Sequence, residues 1–360
     1  MITTKRKLSS THCVNALADL ISLGDQKLIS SRLLEMLTEI DEGKTYALYQ
    51  VLTHTPQMTI GLVAYTTRDK IVSIDQPEVE TLSSDMSAAV TKSVNSGKIE
   101  YVAPHDSSGE TCIIYPALDQ KKEAFAILLQ RTTEVDFGLN NLILGFLRVY
   151  SNFYHTLDQA RRDKLTALLN RETLEQEISQ VLTLINKKAP VNSEIEPFVE
   201  HNKRKQKHGM SYWLGVLDID HFKLINDTFG HLYGDEILIL VARLMEKCVR
   251  KYDLIFRYGG EEFVILIKSE DINEAKCIFD RIRKVIERHQ YAKVKRVTVS
   301  IGVTQIEKQT GPSEAFSEAD TALYFAKSHG RNRVCMYKEL IRKKLIKSKG
   351  EIEPGGVNYF

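Results

Sequence analysis

Arg257-Tyr258-Gly259-Gly260-Glu261-Glu262-Phe263 sits between two apolar runs, Leu254-Ile255-Phe256 before it and Val264-Ile265-Leu266-Ile267 after it. Short β-branched and aromatic runs joined by paired glycines read as a β-hairpin, because glycine supplies the positive φ that a tight turn demands. The runs lack polar alternation, so both strands are expected to be covered on both faces. The same glycines carry no side chain, which lets a bulky ligand approach the backbone. Glu261 and Glu262 then stand at the mouth of a buried hairpin, a costly place for two acids unless they meet a cation.

Upstream, the apolar run Tyr212-Trp213-Leu214-Gly215-Val216-Leu217 leads into Asp218-Ile219-Asp220-His221-Phe222-Lys223. Period-two alternation puts Asp218 and Asp220 on one side of this strand and Ile219 on the other. Leu224-Ile225-Asn226-Asp227-Thr228-Phe229-Gly230-His231-Leu232-Tyr233-Gly234-Asp235 follows and leads into a helix expected to run to about residue 251. Arg250-Lys251-Tyr252-Asp253 lies just ahead of the hairpin, and Ala319-Asp320-Thr321-Ala322-Leu323-Tyr324-Phe325-Ala326-Lys327-Ser328-His329-Gly330-Arg331-Asn332-Arg333-Val334 lies beyond it. Each cation among these, taken alone, reads best as a solvated surface charge.

Together these strings resemble the GGDEF family, the bacterial diguanylate cyclases. Gly-Gly-Glu-Glu-Phe is a common variant of its signature, and the segment from Asp218 to Asp235 matches a second signature nearly completely. Asp163-Lys164-Leu165-Thr166-Ala167-Leu168-Leu169-Asn170-Arg171 resembles the family's opening sequence, with Ala167 in place of the usual glycine. The resemblance covers about residues 160 to 340 and implies a nucleotidyl-cyclase-like domain with a ferredoxin-like core.

By that resemblance, two GTP molecules, each held by one protomer of a homodimer, condense to cyclic di-GMP and release two pyrophosphates. Asp218, the carbonyl of Ile219 and Glu261 would hold Mg2+ (or Mn2+), which prefers hard oxygen ligands and neutralises phosphate charge. Glu261 is also the family's proposed base for the attacking 3′-hydroxyl, with Glu262 beside it and Lys223 close to the reacting phosphates; base and ligand roles of Glu261 are not separable by sequence. Asn226 and Asp235 match the guanine-reading pair. An acid there accepts from the N1 and N2 donors that adenine lacks. Gly259 and Gly260 would line the substrate site, and Lys327 and Arg331 would hold the triphosphate. Arg250 and Asp253 match the family's inhibitory product site, with Arg281 as a further partner. The rival readings are a non-catalytic receptor for cyclic di-GMP and a relative that makes a mixed or adenine dinucleotide.

The remainder of the 360 residues is long enough for a second domain, and 43% hydrophobic with 27% charged residues is a globular balance. Apolar residues at helical spacing between residues 10 and 40 predict one or two helices. Residues 46–52 and 59–65 read as strands, 78–97 as a helix closed by Gly97, and 111–118 and 124–129 as a strand pair. This α+β order resembles a GAF domain, with a PAS-like or unrelated α+β domain as alternatives, and implies a sensor for an unknown small ligand or signal. Leu139, Leu142, Phe146, Val149, Phe153, Leu157 and Ala160 form one stripe at steps of three and four. It predicts either a helix packed on its own domain or a signalling helix that pairs with its twin. The expected organisation is therefore a GAF-like domain over residues 1–136, a signalling helix over 137–162, a GGDEF domain over 163–340 and a basic, then flexible, tail over 341–360.

Residues 187–210, with Pro190, Pro197 and a basic run, read as an inserted surface loop. No aromatic residue interleaves its lysines to stack bases, so no nucleic-acid partner is expected. The net charge of +2 favours no polyanion, and the five scattered cysteines lack zinc or disulfide spacing. Lys5, Arg6 and Lys7 have no continuous apolar core behind them, so no signal peptide is expected. No run approaches the roughly 18 apolar residues of a membrane span, which predicts a soluble, cytoplasmic protein.

Overall fold

A computed structural model describes Ala18 and residues 26–347, apart from 42–43, 54–57, 68–69, 104–108, 187–210, 251–252 and 308. The helical positions expected before residue 26, the basic insertion and the end of the C-terminal tail therefore lie outside the described residues. The described chain divides into two compact units at Ala160 and Arg161.

In the N-terminal unit, helix α1 (Gln26–Ile40) precedes strands β1 (Thr45–Thr53), β2 (Thr59–Thr66) and β3 (Ile71–Val79). Helix α2 (Ser84–Ser96), strands β4 (Glu100–Val102), β5 (Thr111–Leu118) and β6 (Ala124–Thr132), and helix α3 (Phe137–Ala160) follow. The six strands form an antiparallel sheet in the order β3-β2-β1-β6-β5-β4. Successive residues of β1 point to opposite faces. Tyr46 and Leu48 join α1 and α3 in one core, while Ala47, Tyr49 and Val51 join Val90 and Val94 of α2 in another.

Two features of this unit depart from the expectations. Residues 71–79 are an edge strand, and the helix expected from residue 78 starts at Ser84, where the Ser83 side chain caps it by accepting from Met86 N. Pro77 argues against a strand in sequence, but an edge position tolerates a missing donor. Helix α3 belongs to this unit rather than standing apart as a linker. Ile143, Phe146, Leu147 and Tyr150 are buried in the unit's own core, and Leu139, Leu142, Val149, Phe153 and Leu157 pack partly against it. Periodicity reveals an apolar stripe but not the surface that covers it.

The C-terminal unit contains α4 (Arg171–Asn186), β7 (Ser211–Ile219), α5 (Phe222–Phe229), α6 (His231–Glu246), β8 (Leu254–Gly259) and β9 (Glu262–Ser269). It continues with α7 (Ile272–Arg288), β10 (Val299–Ile306), α8 (Pro312–Ser328), β11 (Val334–Met336) and α9 (Tyr337–Arg342). The sheet order is β11-β10-β7-β9-β8, and the antiparallel four-strand core β10-β7-β9-β8 has the ferredoxin-like arrangement. The helix expected to reach residue 251 is α6, which ends earlier, at Glu246, and α5 precedes it across Gly230 (φ 85°).

Helices cover both faces of this sheet, as the unalternating strands require. Ile237 and Val241 of α6 and Ile278, Phe279 and Ile282 of α7 pack on Leu217, Ile219 and Phe263. On the other face, Leu174 and Ile178 of α4 and Ala315, Ala319 and Leu323 of α8 pack on Leu214, Val216, Phe256 and Val264. Helix α8 comes so close to β10 that a Cβ on Gly302 would lie 2.1 Å from both Ala319 O and Leu323 N. Ahead of α4, Leu169 N donates to Ile255 O at 3.1 Å and Leu169 O accepts from Arg257 N at 2.8 Å, adding a bridge to β8.

Ala167, in the turn before that bridge, has φ 61°, a left-handed conformation that costs a non-glycine residue roughly 1–2 kcal/mol. Against the greater chain entropy of glycine, Ala167→Gly should stabilise the unit by about 0.5–1 kcal/mol. Trp213, the one tryptophan of the chain, reports on that unit. Urea unfolding of the full chain followed by its fluorescence should show a higher midpoint for the variant.

Candidate active site

The register of β7 against β9 pairs Asp218 with Glu262, and β10 sets Ser300 on the other side of Asp218. Gly259 is still strand, opposite Glu262 across a bulge, so the turn consists of Gly260 and Glu261. Of the two glycines only Gly260 has positive φ, at 40°. The paired-glycine expectation is corrected there: Gly259 makes a ladder contact and leaves a bare, exposed backbone instead. The carbonyl of Ile219 belongs to the last residue of β7, next to Asp218.

Asp218 is only 6% exposed, and Lys327 Nζ of α8 pairs with its Oδ2 at 2.9 Å. Burial raises its pKa above the ordinary aspartate range even so, with the Lys327 pair and the charge of Arg331 opposing the rise. Glu261 and Glu262 are half-buried, and both are raised, first by burial and then by the charge of Asp218. Three acids therefore compete for positive charge in one mouth.

Arg257 fastens the turn, a role that sequence reading did not assign. Its Nε and Nη2 donate to Gly260 O at 3.2 and 2.9 Å, while Nη1 donates to Asp163 Oδ1 at 3.0 Å. Asp163 also accepts from Thr166 N and Oγ1, both at 2.8 Å. Burial pushes its pKa up, but these donors and the Arg257 charge outweigh it and hold Asp163 below the usual range. The segment around Asp163 thus reaches the β8–β9 hairpin through one guanidinium.

Asn226 of α5 and Asp235 of α6 are both half-buried, and the backbone between them is tightly folded. A Cβ on Gly234 would sit 1.9 Å from Asn226 Oδ1, so only glycine lets the amide lie there. That Oδ1 is buried and has no hydrogen-bond partner among the described residues. A buried carbonyl oxygen without a donor is costly and suits a ligand that supplies one. Lys223 is exposed on α5.

Beyond α8, Gly330, Arg331 and Asn332 take φ of 104°, 58° and 44° in succession. Each of the two non-glycine residues costs roughly 1–2 kcal/mol in this region, so the surrounding contacts must hold the turn. It leaves Arg331 exposed, with its charge acting on Asp218.

Arg250 and Asp253 form a separate small turn: Arg250 N donates to Asp253 Oδ2 at 2.8 Å, and Asp253 N donates to Arg250 O at 3.0 Å. The Arg250 guanidinium pairs with Glu274 of α7 at 3.0 Å. Arg281, also on α7, donates to Cys248 O. Burial raises Asp253 above the ordinary range, while the charges of Arg250 and Arg281 oppose this. The three residues are near neighbours, with Arg250 already engaged by an acid that sequence reading missed.

No group of three His, Cys, Asp or Glu side chains gathers as a metal cage among the described residues. The expected set needs only two carboxylates and a backbone carbonyl. Burial raises the pKa of both carboxylates, and the charge of Asp218 adds to the rise at Glu261; such hard oxygen donors fit a divalent cation of the magnesium kind.

Residues 181–333 match the family model described as diguanylate cyclase, GGDEF domain, and this part of the chain is a GGDEF domain. The probable diguanylate cyclase DgcT of Escherichia coli is 36% identical over 213 residues, 57% of this chain and 42% of that protein. The diguanylate cyclase DgcM of Escherichia coli is 46% identical over 123 residues, 34% of this chain and 30% of that protein. DgcP of Pseudomonas aeruginosa, also a diguanylate cyclase, is 35% identical over 186 residues, 50% of this chain and 25% of that protein. The chain thus spans less than half the length of each of these relatives. No helix among the described residues is long and apolar enough to cross a membrane.

Asp163→Asn should cost about 1–3 kcal/mol at neutral pH, the range for hydrogen bonds to a charged group. Because the folded pKa is depressed, the carboxylate's contribution is present above its unfolded pKa of about 3.9 and is lost as pH falls through the lower folded value. The gap between wild type and variant, read from Trp213-detected unfolding, should therefore shrink below about pH 4.

Proposed function

We propose that this chain condenses two molecules of GTP into cyclic di-GMP, releasing two pyrophosphates. The observation that carries the reading is the β7–β9 register, which sets Asp218 beside Glu262 and next to the turn holding Glu261. The matching GGDEF segment and relatives named diguanylate cyclases support it.

Asp218, the carbonyl of Ile219 and Glu261 are the residues that would hold Mg2+ or Mn2+. When bound, the ion would supply neutralisation of the phosphate charge and polarisation of the reacting groups. Lys327 and Arg331 grip the triphosphate, and Lys223 serves the reacting phosphates. Glu261, with Glu262 alongside, takes the proton from the 3′-hydroxyl as its oxygen attacks the α-phosphorus and pyrophosphate leaves. Asn226 and Asp235 read the guanine edge, Asn226 with its unpartnered oxygen and Asp235 by accepting from N1 and N2. Gly259 and Gly260 keep the nearby backbone bare.

Each chain carries one such set, so two chains must face each other to close both phosphodiester bonds. The N-terminal unit, a GAF-like sensor in this reading, controls how the two meet in response to a small ligand or signal. Arg250, Asp253 and Arg281 bind cyclic di-GMP as an inhibitory product.

Two measurements test these assignments. Glu261→Gln and Asp218→Asn should each lower cyclic di-GMP synthesis from GTP at least about a hundredfold, as expected when an essential charged group is removed. Steady synthesis by either folded variant would reject the site. Arg250→Ala should raise the cyclic di-GMP concentration needed for half-inhibition at least about tenfold, through loss of a charge-assisted contact. Equal inhibition of variant and wild type in progress curves would reject the product site.

A further inference from the structure

Asp220 lies two residues beyond Asp218 but is spent on different partners. It is 5% exposed, and its oxygens accept from three neutral donors. Ser300 Oγ donates to Oδ1 at 2.7 Å, and Thr298 Oγ1 donates to Oδ2 at 2.7 Å. The third donor is the backbone N of Asn332, 3.0 Å from Oδ2. Three of the roughly four acceptor directions of the carboxylate are thus taken, which leaves it poorly placed to ligate a metal as well.

The third donor reaches into the strained 330–333 turn. Asn332 is the last of its three left-handed residues. Its side chain accepts from Arg283 Nη1 at 3.0 Å and donates to Glu287 Oε1 at 2.8 Å, both on α7. Arg331 N donates to Ala326 O at 3.0 Å, and Arg333 O accepts from Ile301 N at 2.9 Å as the chain enters β11. The backbone on either side of Arg331 is therefore fixed, and its exposed guanidinium acts on Asp218 through its charge.

We propose that Asp220 is a positioning residue: it anchors the 330–333 turn so that Arg331 meets the polyphosphate of a bound nucleoside triphosphate. The inference rests on the GTP reading above. Asp220 touches neither metal nor nucleotide in this role. Its contribution is to hold, with uncharged donors on its own side, a backbone conformation that arginine and asparagine adopt only under constraint.

The test is a double-mutant cycle in binding, on the full chain, with Asp220→Asn, Arg331→Ala and both together. The ligands are the inert α,β-methylene analogue of GTP with magnesium and, for comparison, GMP. Each single change should weaken the analogue roughly tenfold, as for one charge-assisted contact, and GMP by no more than about twofold. The double variant should be no more than about twofold weaker than Arg331→Ala, because the same contact is lost once. Additive losses would overturn the proposal, as would equal weakening of GMP or a wild type that does not prefer the analogue. Combined Thr298→Val and Ser300→Ala removes two of the three donors that orient Asp220 toward Asn332 N while keeping its charge, and serves if Asp220→Asn does not fold. It should weaken the analogue selectively by at least about threefold, and an unchanged affinity would overturn the proposal. Absence of cyclic di-GMP from wild type would sink the cyclase reading and leave this binding result standing.

Discussion

Asp218, Glu261 and Glu262 bring like charges into one half-buried mouth, and the C-terminal unit is arranged around that repulsion. Carboxylates so placed are stable only with a counter-charge, since burial and mutual repulsion both favour the neutral acid. Lys327 provides it at 2.9 Å from Asp218. That position depends on α8 lying against the backbone of β10, which in turn depends on the bare Cα of Gly302. A packing constraint on one face of the sheet thus sets an electrostatic one at its end.

The loops around the mouth are held by buried polar groups rather than by apolar packing. Arg257 joins Asp163 to the Gly260 carbonyl, and Asp220 joins two strand hydroxyls to the backbone of Asn332. Such contacts are directional and strong where water is partly excluded. They fix where Glu261 and Arg331 are carried while leaving those side chains free to act. The two acids of the Asp218-Ile219-Asp220 segment take different partners, Lys327 for the first and the backbone of Asn332 for the second.

The N-terminal unit uses a buried polar network of its own. Tyr115 OH lies 2.6 Å from both Gln130 Oε1 and Asn140 Oδ1, and Gln130 Nε2 donates to Asp41 Oδ2 at 2.9 Å and Tyr46 OH at 3.1 Å. Asn140 lies in the first turn of α3, so the network ties the start of that helix to the sheet. The far end of the same helix leads by chain continuity into Arg161 and the C-terminal unit. Burying these groups without partners would be costly, and their mutual satisfaction specifies one seating of the helix.

The sequence by itself determined the two strands around Gly259-Gly260, the acids at their mouth, the GGDEF identity of the C-terminal part and the helix over residues 137–160. These are local signals: period, turn chemistry and motif spacing survive without any knowledge of neighbours. Edge strand β3 was hidden because Pro77 is a breaker everywhere except at an edge, and being an edge is a property of the assembled sheet.

Tertiary structure alone decided that Asp218 meets Lys327 across 109 positions of chain, since nothing local pairs them. It likewise decided that Arg257 reads Asp163, that Glu274 occupies Arg250, that Asp220 holds a turn and that the α3 stripe packs in part on its own unit. A side chain's type announces that it needs a partner; which partner it finds follows from strand register and helix packing, and those are fixed only when the whole chain closes.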